Sequence, residues 1–321
     1  MKSLLTLEEL YVLCGVFVLY AAVRIALDVH HPRRWGSAAF WAMLGVLFVG
    51  GKHLPPFVAG CAVIVLALLV TARQVARPAM LAGGRESRVA EAQRLGNRLF
   101  WPALLVPAIA IIGSSCLGRI HVGGMVLADP KQVTVLSLGL AAIVATMVGR
   151  WLIRADYGTP ARDGARLLEA VGWAVILPQL LAALGGIFQH AGVGGAVAEI
   201  AGKILPTQYA FVAVVAYCLG MALFTICMGN AFAAFAVITG GIGLPLIVQQ
   251  HHGNPAIMAA IGMLSGYCGT LVTPMAANFN IVPVMLLELL DKNAVIKAQA
   301  PIAAVLLAGN IAVMYLCVYR F

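Results

Sequence analysis

Charge is what this chain most lacks. No Asp, Glu, Lys or Arg occurs between Lys203 and Glu288, and charged residues make up only 10% of the 321 residues, against about 25% in soluble domains. Hydrophobic residues make up 62%, and the mean hydropathy is +0.97. The scarcity of charge excludes a soluble globular domain. It predicts an all-α integral membrane protein with about 8–10 transmembrane helices of about 20 residues each.

Signatures of enzyme chemistry and of metal binding are also missing. The seven cysteines form no Cys-x-x-Cys pair, and most lie inside apolar runs, where cysteine behaves as a small hydrophobic residue. No phosphate-binding Gly-x-x-x-x-Gly-Lys-Ser/Thr loop occurs, which argues against ATP hydrolysis. Ser114 and Ser115 have no neighbouring base, and His251 and His252 lack a third ligand. We therefore expect no enzymatic activity, no catalytic residue, no bound metal and no cofactor.

Apolar runs divide the chain into one membrane domain, 1–321. Spans are predicted at 9–27, 36–51, 56–74, 99–118, 132–153, 168–188 and 298–319, with the uncharged region before the last one. The first run follows Glu8 and Glu9 and is too long for a cleaved leader, so it is expected to remain as a span. Residues 85–98 are expected to form a surface helix, and residues 192–205 a short interfacial helix.

The net charge of +9 comes from cations that lie between apolar runs, which favours membrane loops over a nucleic-acid-binding face. The loops near 28–34, 73–98 and 150–166 are rich in arginine, whereas the alternate loops hold only one or two cations each. Arginine-rich loops stay in the cytoplasm. The pattern therefore predicts a multi-pass protein whose N-terminus is outside.

The uncharged region admits two topologies. Residues 208–248 form either two full spans or a re-entrant hairpin whose tip lies near Gly229 and Asn230. Residues 255–287 then form a span that is broken around Gly269 to Pro274. Irregular backbone at membrane depth survives only inside protein or beside a cavity, and such paired interruptions are typical of transporter binding sites.

The first interruption is Gly229-Asn230. Glycine permits a sharp turn, and a side-chain amide offers donors and an acceptor without burying a charge. If a helix begins at Ala231, its free amides favour an anion at the turn. The alternative is an asparagine that caps a kinked helix or bonds to a neighbouring one.

The second interruption is richer in polar groups. Pro274 removes a helical hydrogen bond and clashes with the carbonyl of Thr270, while Gly269 weakens the helix before it. An unwound span offers free carbonyls to a cation and helix ends to a carboxylate. The alternative is a proline kink whose threonines bond the backbone again. The candidate substrate- and ion-binding residues are Gly229, Asn230, Gly269, Thr270, Thr273, Pro274, Asn278 and Asn280.

Gln179 is a secondary candidate. It follows Pro178 within a predicted span, where it can face the site or hydrogen-bond a neighbouring helix.

The two interruptions resemble the paired signature of the ion transporter superfamily of secondary carboxylate carriers. More closely, the whole chain resembles a bacterial family of permeases, formerly of unknown function, regarded as one subunit of a 5-oxoproline (pyroglutamate) transporter. The matching segments are Asn97-Arg-Leu-Phe100, Asp129-Pro-Lys-Gln132, Gly172-Trp173, Leu177-Pro-Gln179, Met228-Gly-Asn230 and Thr273-Pro-Met-Ala-Ala-Asn-Phe-Asn-Ile-Val-Pro283. The resemblance implies a secondary transporter for a small carboxylate in the bacterial cytoplasmic (inner) membrane.

One feature departs from the superfamily pattern. Its carriers hold two inverted copies of hairpin plus broken helix, whereas this chain has one, and residues 1–160 contain no second uncharged Asn/Thr/Pro pair. Residues 1–160 are therefore expected to be scaffold helices, and 165–321 the transport unit. The family implies that a second, related hydrophobic subunit supplies the other half; self-pairing is the alternative.

The coupling ion and the rival functions follow from the same residues. A proton relay requires an acid or histidine within the membrane, and the uncharged region favours Na⁺ near Asn230 and Thr270 instead. The expected partners are the second, related hydrophobic subunit or a second copy of this chain, the lipid bilayer and a small carboxylate, with no nucleic acid. The rival functions are a non-transporting assembly subunit and an intramembrane enzyme.

Overall fold

The computed structural model describes residues 3–76, 92–122, 125–204, 206, 208–287 and 289–320. The α-helices within these ranges are α1 (Leu7–Leu27), α2 (Arg34–Gly50), α3 (Pro56–Thr71), α4 (Phe100–Cys116), α5 (Val133–Ile153), α6 (Thr159–Val171), α7 (Leu177–His190), α8 (Val193–Ile204), α9 (Ala210–Met228), α10 (Ala231–Ile238), α11 (Pro255–Leu271), α12 (Ile281–Leu286) and α13 (Ala294–Val318). Short 3₁₀ turns cover Gly96–Leu99 and Gly172–Ile176, and a π-helix covers Thr239–Gln250.

Seven helical segments are long and apolar enough to cross a membrane. They are Leu7–Leu27, Ala92–Cys116, Val133–Ile153, Thr159–His190, Ala210–Met228, Ala231–Gln250 and Ala294–Val318, and three shorter apolar helices are Arg34–Gly50, Pro56–Thr71 and Pro255–Leu271. Many of their Leu, Ile and Val side chains point outward, as lipid-facing residues do. The prediction of an all-α integral membrane protein is confirmed.

The chain forms two compact units, Met1–Gly172 and Trp173–Phe321. In the first unit, glycines let helices approach closely. A Cβ atom placed on Gly15 of α1 would lie 2.9 Å from the carbonyl oxygen of Gly45 of α2. A Cβ on Gly113 of α4 would lie 2.6 Å from Ser137 Oγ of α5. Such close contacts between small residues are a main source of helix association in lipid.

A small sheet in the first unit was not foreseen from the sequence. Strand β1 (Ser3–Leu5) pairs in parallel with β3 (Met125–Ala128), and β2 (His121–Val122) pairs antiparallel with β3. These strands are too short to show an alternating hydrophobic pattern. They form by pairing with each other, and β1 and β3 come from distant parts of the chain, so a local pattern does not predict them.

Contacts among the loops of the first unit agree with their predicted alternation. The sheet joins the segment before α1 to the loop after α4, and Lys52 lies 3.8 Å from Glu8. The arginine-rich loops have contacts of their own. Arg33 donates a hydrogen bond to the carbonyl of Arg73, and His31 Nε2 lies 3.9 Å from Oε2 of Glu169 in α6. The arginine-rich loops therefore share one end of this unit, and the arginine-poor loops share the other.

The second unit is organised around Tyr217 of α9, which is fully buried. Its hydroxyl lies 2.9 Å from Thr239 Oγ1. Gly262 of α11 and Gly243 of the π-helix make room for the ring, because a Cβ on either glycine would overlap atoms of Tyr217. Met221, Ile238, Met258 and Met314 complete a core shared by four helical segments.

Most predicted elements of the chain agree with the structure. The expected helix at 192–205 is α8, and the broken span at 255–287 is α11 followed by α12. The span predicted at 168–188 is interrupted at Gly172, whose positive φ of 58° ends α6. The first part of the surface helix predicted at 85–98 lies outside the described residues.

The region 208–248 folds as two arms, α9 and the continuous segment Ala231–Gln250. The first arm has 19 residues, which corresponds to about 28 Å and nearly equals the hydrocarbon thickness of a bilayer. Each arm is therefore long enough for a full span.

Candidate functional site

The first helix interruption is a one-residue turn at Gly229. This residue has φ 67° and ψ 4°, the left-handed conformation that glycine adopts without strain, and its N–H donates to the carbonyl of Thr225 at 2.7 Å. Asn230 then begins α10, and its Oδ1 accepts a hydrogen bond from the N–H of Phe232 at 2.9 Å. The asparagine is therefore an N-cap, and it leaves other first-turn amides of α10 without helical partners.

The second interruption separates α11 from α12. Helix α11 ends at Leu271, and Pro274 follows in an irregular segment that reaches Asn280. The side chain of Asn280 holds this segment together, because its Nδ2 donates to the carbonyls of Thr270 and Thr273 at 2.8 and 2.7 Å. It replaces the backbone donors that the broken helix cannot supply.

The two interruptions touch each other. A Cβ atom on Gly229 would lie 2.6 Å from the carbonyl carbon and oxygen of Met275. Thr273 Oγ1 donates to the carbonyl of Ile226 at 2.8 Å and accepts from the N–H of Met275 at 3.2 Å. The irregular segment after α11 is thus fastened to the end of α9.

Glycines on α11 bring it against α9 and α10. A Cβ on Gly269 would overlap the carbonyl oxygen of Ala222, and a Cβ on Gly266 would lie 3.1 Å from Ala231. The glycines at 262, 266 and 269 lie three or four residues apart, so they share one face of the helix. This contact sets the position of Thr270 relative to Asn230.

A cavity of about 240 Å³ lies where the interruptions meet. Its polar walls come from Asn230, Tyr267, Thr270 and Asn278. Apolar walls and backbone come from Leu181, Gly229, Ala231, Phe232, Met275, Ala277 and Phe279. No residue that lines it carries a charge, and among the described residues no three or more His, Cys, Asp or Glu side chains cluster as a metal site would require.

The predicted site residues fall into those that line the cavity, those that are buried beside it and those that lie away from it. Gly229, Asn230, Thr270 and Asn278 line the cavity. Thr273 and Asn280 are buried and bond backbone carbonyls nearby. Gly269 packs against α9, while Pro274 is exposed at the break. Gln179 is an exposed residue of α7 and does not line the cavity.

Two oxygen atoms near the interruptions are buried and have no hydrogen-bond partner. They are Oδ1 of Asn280 and Oγ1 of Thr225, which is on α9 one turn before Gly229. Buried polar atoms without partners are rare because each costs about 1–3 kcal/mol. Uncharged oxygens of this kind are ligands that a hard cation accepts.

Sequence reasoning missed seven cavity residues, and Leu181, Phe232 and Tyr267 have the most prominent side chains among them. The rings of Phe232 and Tyr267 meet edge to face, with centroids 6.3 Å apart. The sequence could have predicted Tyr267, because it precedes Thr270 by three residues and so lies on the same face of the helix. No pattern pointed to Leu181, which reaches the site only through the packing of α7 on α10.

The fold and the cavity define a multi-pass helical membrane protein in which interrupted helices enclose an uncharged polar site. The chain belongs to the family described as protein of unknown function DUF979, whose profile matches residues 8–319.

No curated protein sequence matches the chain significantly. Among solved structures, the chain aligns with MtrF of Neisseria gonorrhoeae, which is described as illuminating a class of antimetabolite efflux pumps. The alignment covers 96% of this chain and 70% of MtrF, with 15% identity and a TM-score of 0.34. A likeness at this level carries no argument about function.

Proposed function

We propose that this chain is a subunit of a secondary transporter for a small carboxylate in the bacterial inner membrane. The candidate substrate, implied by the family resemblance, is 5-oxoproline. The cavity between the two helix interruptions is the observation that carries this proposal. It is polar, uncharged and built from backbone that does not follow a regular helix, as substrate sites of transporters are.

The cavity suits a small anion with its own hydrogen-bonding groups. Its donors are the amides of Asn230 and Asn278, the hydroxyl of Tyr267 and the first-turn amides of α10. The hydroxyl of Thr270 donates to the carbonyl of Tyr267 at 2.7 Å, so it offers the cavity an acceptor. A helix N-terminus favours negative charge. A carboxylate can take these donors, while Phe232 and Leu181 contact the apolar part of a compact substrate.

Sodium is the proposed coupling ion. The cavity contains no carboxylate or imidazole that could carry a proton, whereas Asn280 Oδ1 and Thr225 Oγ1 are buried oxygens without a donor. These two atoms are better candidate ion ligands than Asn230 Oδ1, which caps α10. Uptake that requires a proton gradient and ignores Na⁺ would contradict this proposal.

Uptake of labelled 5-oxoproline by membrane vesicles tests the site. Asn230→Ala and Asn278→Ala each remove an amide from the cavity, and a hydrogen bond to a charged ligand contributes about 1.5–3 kcal/mol. We therefore expect the apparent affinity to fall by roughly ten- to a hundred-fold. The matched control is Asn293→Ala, an exposed asparagine far along the chain whose side chain caps no helix.

The rival function is a non-transporting assembly subunit, and the same variants separate the two. If Asn230→Ala and Asn278→Ala assemble normally and keep wild-type uptake, the cavity is not the substrate site. The chain would then be a scaffold whose polar residues only pack helices.

A further inference from the structure

A second cavity lies in the first unit, where the segment that leads into α4 meets the C-terminal end of α5. Its volume is about 670 Å³. Four arginines line it, Arg94 and Arg98 before α4 and Arg150 and Arg154 at the end of α5. None of its lining residues is acidic, and no carboxylate among the described residues forms an ion pair with any of the four guanidinium groups.

The fold holds these arginines on both walls. Arg150 is fixed, because its Nη1 donates to the carbonyl of Ala155 at 3.1 Å and its guanidinium lies 3.8 Å from the centre of the Tyr157 ring. Arg154 ends α5 in a left-handed conformation with φ 54°. Arg94 and Arg98 are exposed and lie four residues apart, about one helical turn.

Helix dipoles explain only half of this cluster. Arg150 and Arg154 lie at the C-terminal, negative end of α5, where cations are stabilised. Arg94 and Arg98 lie in the first turns of the described helical segment Ala92–Cys116, far from a C-terminal end that would stabilise cations. Four like charges around one cavity therefore favour a negatively charged occupant.

Aromatic residues place the cavity at the level of lipid head groups. Trp151 lines it and is 75% exposed, and Trp101 and Tyr157 nearby in the chain are also exposed. Exposed Trp and Tyr at the ends of spanning helices mark the membrane–water interface. Both helices that bear the arginines belong to candidate spans.

The geometry points to a binding site for the phosphodiester head group of an anionic phospholipid. Guanidinium groups match phosphate oxygens with paired donors, and basic pockets between spanning helices at the membrane surface bind anionic head groups. Leu95 and Leu152, also in the cavity wall, can contact the glycerol and upper acyl chains. This site is independent of the proposed transport function.

Lipid retention tests the assignment. The full-length chain, with any subunit that co-purifies, is reconstituted with phosphatidylglycerol in phosphatidylcholine, and the bound lipid is counted by native mass spectrometry. Arg98→Gln/Arg154→Gln removes one guanidinium from each wall, and we expect it to weaken phosphatidylglycerol binding by roughly tenfold or more. The control, Arg119→Gln/Lys131→Gln, removes the same charge beyond the opposite ends of α4 and α5 and should retain the lipid.

Two results would overturn the assignment. One is equal phosphatidylglycerol retention by the wild-type chain, both double variants and the single variant Arg98→Gln. The single variant changes one exposed residue, so it keeps the test valid if the double variant misfolds. The other is saturable binding of inorganic phosphate in detergent that needs these arginines while phosphatidylglycerol shows no preference for them. Phosphate would then be the soluble occupant.

Discussion

Three asparagines near the site have three roles at the residue scale. Asn230 caps a helix at the cavity, Asn278 presents an exposed amide to it, and Asn280 is buried. Only Asn280 bonds the backbone of the break, through the carbonyls of Thr270 and Thr273. Its main role is therefore to hold the irregular segment in shape.

Asn280→Ala should destabilise the chain more than a change in the cavity does. The carbonyl of Thr270 would lose its donor, whereas that of Thr273 would keep the N–H of Ala276 at 3.3 Å. A buried unpaired group costs about 1–3 kcal/mol. We expect the free energy of unfolding to fall by roughly 1–3 kcal/mol, measured as reduced thermal stability in detergent. Asn278→Ala is the control and should unfold close to wild type. Equal stability of the two variants would contradict the bracing role.

The sequence could not separate these roles, because all three residues are asparagines in one uncharged region. Burial and hydrogen-bond partners distinguish them, and both depend on how the chain returns after Pro274. Likewise, the pattern predicted Thr273 at the site, yet its hydroxyl bonds the carbonyl of Ile226, 47 residues earlier in the chain.

At the scale of elements, the contact between the two interruptions depends on Gly229. Gly229→Ala would place a Cβ 2.6 Å from the backbone of Met275 and strain a residue whose φ is 67°. The strain alone is about 1–2 kcal/mol. We expect the variant to lose most uptake and to melt at a lower temperature, since backbone rather than a flexible side chain must move.

Gly240→Ala is the matched control for this change. Gly240 belongs to the π-helix of the same hairpin and is exposed, and a methyl group added to it would meet no atom within 4 Å. Its uptake and melting temperature should stay near those of the wild-type chain. If both glycine variants behave alike, the contact between Gly229 and Met275 is not required for the site.

At the scale of the whole molecule, the described residues contain one Asn-tipped hairpin and one Thr/Pro-broken helix, and inverted repeats require two of each. We predict that the isolated chain does not transport and co-purifies with a second hydrophobic subunit bearing its own Asn-tipped hairpin. The predicted interface includes 225–235 and 265–283. Reconstitution of the chain alone and with the partner, with 5-oxoproline uptake as the readout, is the measurement.

The outcomes of this reconstitution differ clearly. Uptake by a monomer would contradict the two-subunit prediction, and uptake by a homodimer would replace the partner with a second copy.

Cysteine labelling of the active assembly tests its orientation: a cysteine at position 163 should react only from the cytoplasm, and one at position 53 only from outside. The reverse pattern would invert the predicted topology.

The sequence by itself determined that the protein is an all-α membrane protein, where most helices begin and end, and which region is interrupted. These properties depend on local hydrophobicity, glycine and proline, which act over one or two helical turns. The tertiary structure decided which polar residues face the cavity, which of them brace the break, and that Leu181 and Tyr267 line the site. It also brought four arginines from two helices to one cavity. Such juxtapositions depend on contacts between residues tens of positions apart, which no local pattern encodes.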